Sequence, residues 1–491
     1  MLAAELDLRL DSLRAQEGIS GALIEAFKTF LGEAPDEALF RMSPLRWAAS
    51  HGATEQQAID LFLHAAHAGI LDFAWGILCP GCLAFLNTPG ALRAIAKKRC
   101  NFCHIDIAQS FDDRVEVAFT VSSAVRQIRF HNPESLDLRQ DALRLYFSSS
   151  LSPESRPHRA LGEGILHADS VPQGGVRTLT LELPRGETVL LAPANHSAVY
   201  FIGRRSYTGP GPDTGTDTGT DTGIPTASVE LFDGWSIPAI VELPVGPVTI
   251  ELHNRTPRPL GYILTPTRSS LWPAPAPPGE PLNHPFRSYL TGPRLVVSQT
   301  FRELFRAESL PAEGGLEFKG TTLLFTDLKG STALYERLGD LRAYELVRQH
   351  FAVLRSIAAA AGGSIVKTIG DAVMASFADP LAAMHAVTRM HQAIEQLGEG
   401  ELHLKIGVHS GSCIAVELNE RLDYFGRTVN IAARVQGIAG PGEIVCTQAV
   451  YEKSGVREVV EAAGFSVEAS SVALRGISGD TAIVRLRRRP A

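Results

Sequence analysis

The stretch Ile365-Val-Lys367-Thr-Ile-Gly370-Asp371-Ala-Val-Met-Ala375 leaves the C-terminal part of this chain few ways to fold. Two short apolar runs meet at a Gly-Asp pair, the signature of a two-stranded hairpin. Upstream, Thr322-Leu-Leu-Phe-Thr-Asp327 is another mostly apolar strand that ends on a carboxylate, and Leu328-Lys-Gly330-Ser331-Thr332 turns from it into a helix. From Thr321 the expected order is strand, long helix, two hairpin strands, helix, strand: a βαββαβ arrangement with further elements after it. The long helix is expected over about 333–361, with an apolar stripe of Leu334, Leu338, Leu341, Phe351 and Leu354 and a stop at Gly362-Gly363. Asp379-Pro380 supplies a cap and a first-turn proline for the next helix.

At 491 residues the chain is too long for one ordinary core, so several domains are expected. Residues 1–75 read as a helical module, with Thr54 and Gln57 forming a capping box ahead of Ile59, Leu61, Phe62, Ala65 and Ala66. Residues 76–112 hold two cysteine knuckles, Cys79-x-x-Cys82 and Cys100-x-x-Cys103, whose spacing suits one tetrahedral structural zinc. Cys413 and Cys446 fall in expected strands and read as small buried thiols. Residues 113–267 carry short β-like runs, Val115 to Val121, Val189 to Ala192, Ala198 to Ile202, Ser228 to Leu231 and Val248 to Leu252, and suggest an antiparallel sandwich. The Asp-Thr-Gly repeats of 208–223 read as a flexible insertion. Residues 268–315 form a Pro-rich linker followed by a helix from Gln299 to Leu310, and 316–488 the last domain.

Three stretches carry chemistry. The Gly330-Ser331-Thr332 turn offers backbone N–H groups to phosphate oxygens at a helix start. If the Asp327 strand pairs beside the hairpin, Asp327 and Asp371 approach one another at one end of the sheet. Two such carboxylates repel unless one is protonated or cations lie between them, and a pair of divalent ions about 3.5–4 Å apart resolves the conflict. Asp423-Tyr-Phe-Gly-Arg-Thr-Val-Asn430-Ile-Ala-Ala-Arg434 then places an amide and a guanidinium four residues apart on one helix face.

Together with Gly407-Val-His-Ser-Gly411, these stretches resemble, over about Thr321 to Leu486, the catalytic domain of class III adenylate and guanylate cyclases. The resemblance implies a multidomain α+β chain whose C-terminal domain has a ferredoxin-like βαββαβ core. It implies that Asp327, Asp371 and the Leu328 carbonyl hold two Mg²⁺ or Mn²⁺ ions. It implies further that Lys367 and Asp423 face the purine edge, Asn430 orients the ribose, Arg434 reaches the α-phosphate, and Arg475 stands where relatives keep a cationic phosphate ligand. Adenine presents a ring-nitrogen acceptor and an amino donor, which Lys367 and Asp423 match; guanine opposes them, at roughly 1–3 kcal/mol for each buried group left unpaired. ATP is therefore the expected substrate and cyclic AMP the product. Because relatives draw the aspartates and the Lys/Asp/Asn/Arg set from opposite subunits, a head-to-tail homodimer is implied. Arg427 departs from the family, where an acid often follows that glycine. The N-terminal part resembles an uncharacterised module that precedes cyclase domains in some bacterial proteins, which suggests regulation.

A formal charge of −7 argues against a surface built to coat nucleic acid or anionic lipid, and Lys97-Lys98-Arg99 is only a brief basic cluster. No secretion signal and no uninterrupted apolar span are read, so a cytoplasmic protein is expected. The competing readings are a guanylate cyclase and a catalytically weak nucleotide-sensing or DNA-binding regulator.

Overall fold

The computed structural model describes residues 2–16, 19–79, 84–85, 98–100, 106–107, 114–132, 136–151, 164–192, 197–205, 224–233, 235–266, 289–305, 316–329, 336, 339–397, 402–418 and 421–489. Among these, no helix is long and apolar enough to cross a membrane. The 208–223 insertion, most of the Pro-rich linker, and Gly330, Ser331, Thr332, Cys82 and Cys103 lie outside the described residues.

The N-terminal helices Leu2–Arg14, Gly21–Glu33, Pro44–His51 and Glu55–His67 bury an aromatic knot, in which the Phe27 ring meets Trp47 and Phe62 at centroid separations of 5.7 and 5.3 Å. The Thr54–Gln57 capping box forms as expected, its two bonds measuring 3.2 and 2.9 Å. Strand Val115–Val121, grouped by its pattern with the later β region, instead pairs antiparallel with Leu71–Ile77, and Leu290–Thr291 completes a three-stranded sheet. Its near-continuous burial explains the difference: with helices packed on it, the strand has no solvated face to show alternation.

From His167 to Pro266, four- and five-stranded sheets enclose one apolar cluster, among them Leu190, Phe201, Val229, Ile250 and Tyr262. This is a sandwich, but not a purely antiparallel one. Ile240–Pro244 runs parallel to Ser197–Arg204, and Gly246–Asn254 parallel to Thr226–Phe232.

The C-terminal domain contains β1 (Leu316–Lys329), α1 (Asp340–Ala360), β2 (Ser364–Ile369), β3 (Ala372–Phe377), α2 (Pro380–Leu397), β4 (His403–Leu418), β5 (Arg421–Phe425), α3 (Arg427–Gly437), β6 (Glu443–Thr447), β7 (Phe465–Ala473) and β8 (Asp480–Arg488). The sheet order is β2-β3-β1-β4-β6-β8-β7, with β5 hydrogen-bonded to β4. Its first four strands form the antiparallel βαββαβ core expected from the pattern. Asp379 caps α2, its Oδ1 accepting from the Ala382 N–H at 2.9 Å. The described α1 begins only at Asp340, after Gly339 at φ 74°, and its buried stripe is Ala343, Val347, His350, Leu354 and Ile357. Leu341, expected in that stripe, is 84% exposed because it falls on the opposite side of the helix.

One face of this sheet packs Leu324, Leu328, Val373 and Phe377 against α1 and α2. The other face, through Phe318, Leu323, Phe325, Met374 and Tyr424, is continuous with the core of the N-terminal module.

Glu116, on the Val115–Val121 strand, is 1% exposed; burial pushes its carboxyl from 4.5 up to about 7, against the pull of Arg41 and Arg46. Folding thus favours the protonated acid, a contribution complete below the unfolded pKa near 4.5 and lost as pH rises through about 7. Glu116→Gln, neutral at every pH, is expected to gain melting temperature relative to the unaltered chain as the pH is raised from about 5 to about 8. A constant difference in thermal melts over that window would contradict the assignment.

Candidate active site

The pairing of β1 with β3 runs from Thr322↔Phe377 to Thr326↔Val373 and stops, whereas its pairing with β4 continues to Lys329↔His403. Residues 327–329 therefore keep one backbone edge outside the β3 ladder, next to the Gly370-Asp371 turn. Asp327 follows the last paired residue and Asp371 precedes Val373 by two positions, so both acids stand at the same end of the sheet. Alternation along β1 sends Leu324 and Leu328 under the helices and Asp327 to the face of Leu323 and Phe325. The turn itself needs glycine for its backbone: Gly370 sits at φ 63° while a Cβ there would meet open space.

Two neighbours of these acids were not read from the sequence. Lys405, opposite Asp327 in the β1–β4 register, brings its Nζ within 3.7 Å of Asp327 Oδ2. His350 is fully buried on α1 within electrostatic reach of Asp371, and burial pushes its imidazole down to about 4, so it is neutral. A histidine at helical spacing within an apolar stripe was the available signal. The donor set suits hard divalent cations: carboxylates on a half-paired strand end and on a tight turn, with a strand edge whose carbonyls are not all used by the ladder.

Lys367 and Asp423 come together directly, Nζ to Oδ2 at 2.6 Å, with side chains 40% and 8% exposed. A register shift between Ile365 and Lys367 makes this possible. The extra residue pairs Lys367 with Met374 rather than Val373, turning it away from the helix-covered face and toward Asp423. The second oxygen of Asp423 accepts the Tyr424 N–H at 2.8 Å.

Asn430 and Arg434 lie on the exposed face of α3, whose other side buries Thr428, Ile431, Ala432 and Val435. Gly426 occupies the N-cap, so Asn430 is not a cap, and Arg434 has no ion pair among the described residues. The glycines of Gly407-Val-His-Ser-Gly411 let α3 lie directly on β4. A Cβ at Gly407 would stand 2.2 Å from the Gln436 backbone nitrogen, and one at Gly411 2.6 Å from Thr428 Oγ1. Within this motif His409 is half-buried, held neutral by desolvation that pushes its pKa down to about 4, and lies 3.0 Å from Thr447 Oγ1. Arg475 is exposed in the β7–β8 turn, and Leu474 beside it packs into the cluster of Ile431 and Val435, which brings that turn to α3. Cys79 and Cys100 are both buried, as are Cys413 and Cys446. With Cys82 and Cys103 outside the described residues, the four-cysteine arrangement is only half visible.

The adenylate and guanylate cyclase catalytic domain family matches residues 316–476. The C-terminal part of the chain carries a class III cyclase catalytic domain. Residues 4–207 match a family of unknown function, DUF5939. A pH-sensitive adenylate cyclase of Mycobacterium tuberculosis is 33% identical over 184 residues, 37% of this chain and 44% of that protein. Adenylate cyclase 2 of Rhizobium meliloti is 34% identical over 131 residues, 23% of this chain and 36% of that protein. The chain thus spans less than half the length of either relative. A solved Trypanosoma brucei adenylate cyclase, in its monomeric state, is 28% identical, covering 34% of this chain and 88% of that one with a TM-score of 0.30.

In this cyclase domain the seat of α3 is decided by Gly407, since the clash is with backbone that no rotamer change relieves. Gly407→Ala is expected to destabilise the protein by about 1–3 kcal/mol through overpacking, read as a lower denaturation midpoint in urea. An unchanged midpoint would mean that α3 does not depend on the close approach.

Proposed function

We propose that the chain is an adenylate cyclase that converts ATP to 3′,5′-cyclic AMP and pyrophosphate. The observation that supports this most is the Lys367–Asp423 pair: a buried carboxylate and a half-exposed ammonium side by side, offering an acceptor and a donor to one base edge. Adenine answers both, receiving a hydrogen bond from Lys367 Nζ at its ring nitrogen and donating its amino hydrogen to Asp423. Guanine presents a carbonyl to the acid and an N–H to the ammonium.

In the reaction the ribose 3′-oxygen bonds to the α-phosphorus while the bond to the bridging oxygen breaks and pyrophosphate departs; the hydroxyl proton passes to solvent. Asn430 orients the ribose, and Arg434, one helical turn further along the same face, offsets charge growing on the phosphoryl oxygens. Arg475 adds a second cation toward the phosphates; Gly330, Ser331 and Thr332, the phosphate contacts expected from the sequence, lie outside the described residues. Two Mg²⁺ or Mn²⁺ ions, held by Asp327, Asp371 and the Leu328 carbonyl, would lower the pKa of the 3′-hydroxyl and neutralise the triphosphate.

The working unit in this reading is a head-to-tail homodimer whose sites each take the aspartates from one subunit and the Lys/Asp/Asn/Arg set from the other. Exposed apolar residues support it. Ile414 (43% exposed) pairs in register with Phe425 (49%), and Leu418 (47%) lies on the same side of β4, all on the face that carries Asp423. The N-terminal module regulates this unit, and Cys79, Cys82, Cys100 and Cys103 bind one structural zinc within it.

Incubating the purified full chain with Mn²⁺ and either ATP or GTP, and quantifying the cyclic products, is expected to show cyclic AMP in clear excess. Equal turnover of both nucleotides would refute the base-edge argument, and turnover of neither would refute the cyclase. Asp371→Ala and Arg434→Ala are each expected to be inactive yet folded, and a mixture to regain part of the activity through one intact composite site. Heterodimers that form but stay silent would overturn the shared-site arrangement.

A further inference from the structure

The two strands that carry Lys367 and Asp423 are held by a short helix that belongs to neither. Helix Gln299–Leu304 links the N-terminal module to β1, and its Phe301 is 5% exposed. Gln299 Oε1 accepts the Ile365 N–H at 2.9 Å, immediately before the bulge that turns Lys367 toward Asp423. From the same helix, Arg302 Nη2 donates to the Leu422 carbonyl, and its guanidinium lies 5.8 Å from the centre of the Tyr424 ring. Leu422 and Tyr424 flank Asp423 on either side, and the Asp423 carboxylate acts electrostatically on the Arg302 guanidinium. Gln299 also donates to Glu303, which pairs with Arg355 of α1. The helix is thus anchored to three catalytic elements.

Its remaining residues hold the N-terminal module. Thr300 Oγ1 donates to Asp60 Oδ1 at 2.6 Å, and Asp60 also accepts from Gln56 at 3.0 Å. Phe301 meets Phe73 and Trp75 edge-on at 6.2 and 6.3 Å, and Phe305 meets Phe73 at 5.0 Å. A displacement of the N-terminal module therefore reaches Ile365 and Leu422 through one rigid turn of helix.

We propose that Arg302 and Gln299 are positioning residues for base recognition: they fix the spacing of β2 and β5, and so the fit of Lys367 and Asp423 to adenine. This rests on the adenylate cyclase reading of the same pair. Neither residue touches the nucleotide; their effect passes through the backbones of Ile365 and Leu422. Selection of the base is consequently tied to the seating of the N-terminal module, which grips the opposite side of the helix.

The test compares kcat/KM for ATP and for GTP in the full chain, unaltered and with Arg302→Met, Arg302→Lys, Gln299→Ala or Asp423→Ala. Arg302→Met and Gln299→Ala are each expected to raise KM for ATP and to lower the ATP-to-GTP ratio of kcat/KM by about tenfold, as sub-ångström to ångström misplacement of a recognition group does. Arg302→Lys, which keeps the charge and a donor, is expected to recover part of the ratio. General damage to the fold lowers both rates together and leaves the ratio in place. If Arg302→Met does not fold by circular dichroism, Gln299→Ala decides alone. Should Asp423→Ala collapse the ratio while folded Arg302→Met or Gln299→Ala preserves it, the positioning role is overturned and the base-reading pair stands. Should Asp423→Ala itself leave the ratio unchanged, the base-reading assignment falls and the proposal with it.

Discussion

Almost everything in the catalytic domain follows from β1 being the central strand of an antiparallel core, paired to β3 on one side and β4 on the other over unequal lengths. Pairing on both sides fixes its register, and with it which side chains face the helices and which face the N-terminal module. A one-residue slip would bury Asp327 against α1 and α2 and put Leu324 and Leu328 on the wrong face. The inequality matters as much as the register. Because the ladder with β3 ends first, the strand end beside the Gly370-Asp371 turn keeps polar backbone available at the end of the sheet where both acids stand. A fully paired end would offer carboxylates alone.

The same register makes the domain depend on what covers its second face. Phe318, Leu323, Phe325, Val366, Met374 and Tyr424 are buried in a cluster that also contains Phe62, Trp75 and Phe301 from preceding segments. At roughly 25 cal/mol per Å² of apolar surface, fully exposing six such side chains would cost on the order of 10 kcal/mol. The N-terminal module is therefore part of the structural support of the strands that carry Lys367 and Asp423 rather than an appendage on a flexible tether. Its polar links to the linker helix add direction to that nonspecific adhesion, since hydrogen bonds fix where the covered strands sit and hydrophobic contact alone does not.

What could be read in the sequence was local in origin. The hairpin at Gly370-Asp371, the cap at Asp379 and the shared face of Asn430 and Arg434 each follow from a few neighbouring residues, and each is present. Long-range features were harder. Val115–Val121 looks like any short apolar strand, and nothing within it reveals that its partner is Leu71–Ile77 rather than a strand of the sandwich. Start positions suffered likewise: Leu341 fits a helical stripe by spacing, but Gly339 sets the phase of the helix and turns it outward. The bulge that aims Lys367 could not be read at all, because Val366 is unremarkable and the shift is visible only in the pairing with β3. Lys405 and Arg302 were missed for the same reason, as each acts on a residue far away in sequence.

The closed contact between Lys367 and Asp423 bears on how a base could be chosen at all. With Asp423 only 8% exposed, its charge relies on the ammonium 2.6 Å away and on the Tyr424 N–H, so a base entering between them must replace what it displaces. Adenine returns a donor to the acid and an acceptor to the ammonium, and the exchange is close to even. A base of opposite polarity breaks the pair and returns nothing, leaving a buried carboxylate short of a partner at about 1–3 kcal/mol, more for a full charge. Discrimination in the proposed reading thus lies less in attraction to adenine than in the penalty the pair imposes on others. That penalty is only as large as the geometry is stiff. If β2 and β5 could drift apart, the two groups would find water instead, and the difference between bases would shrink toward nothing.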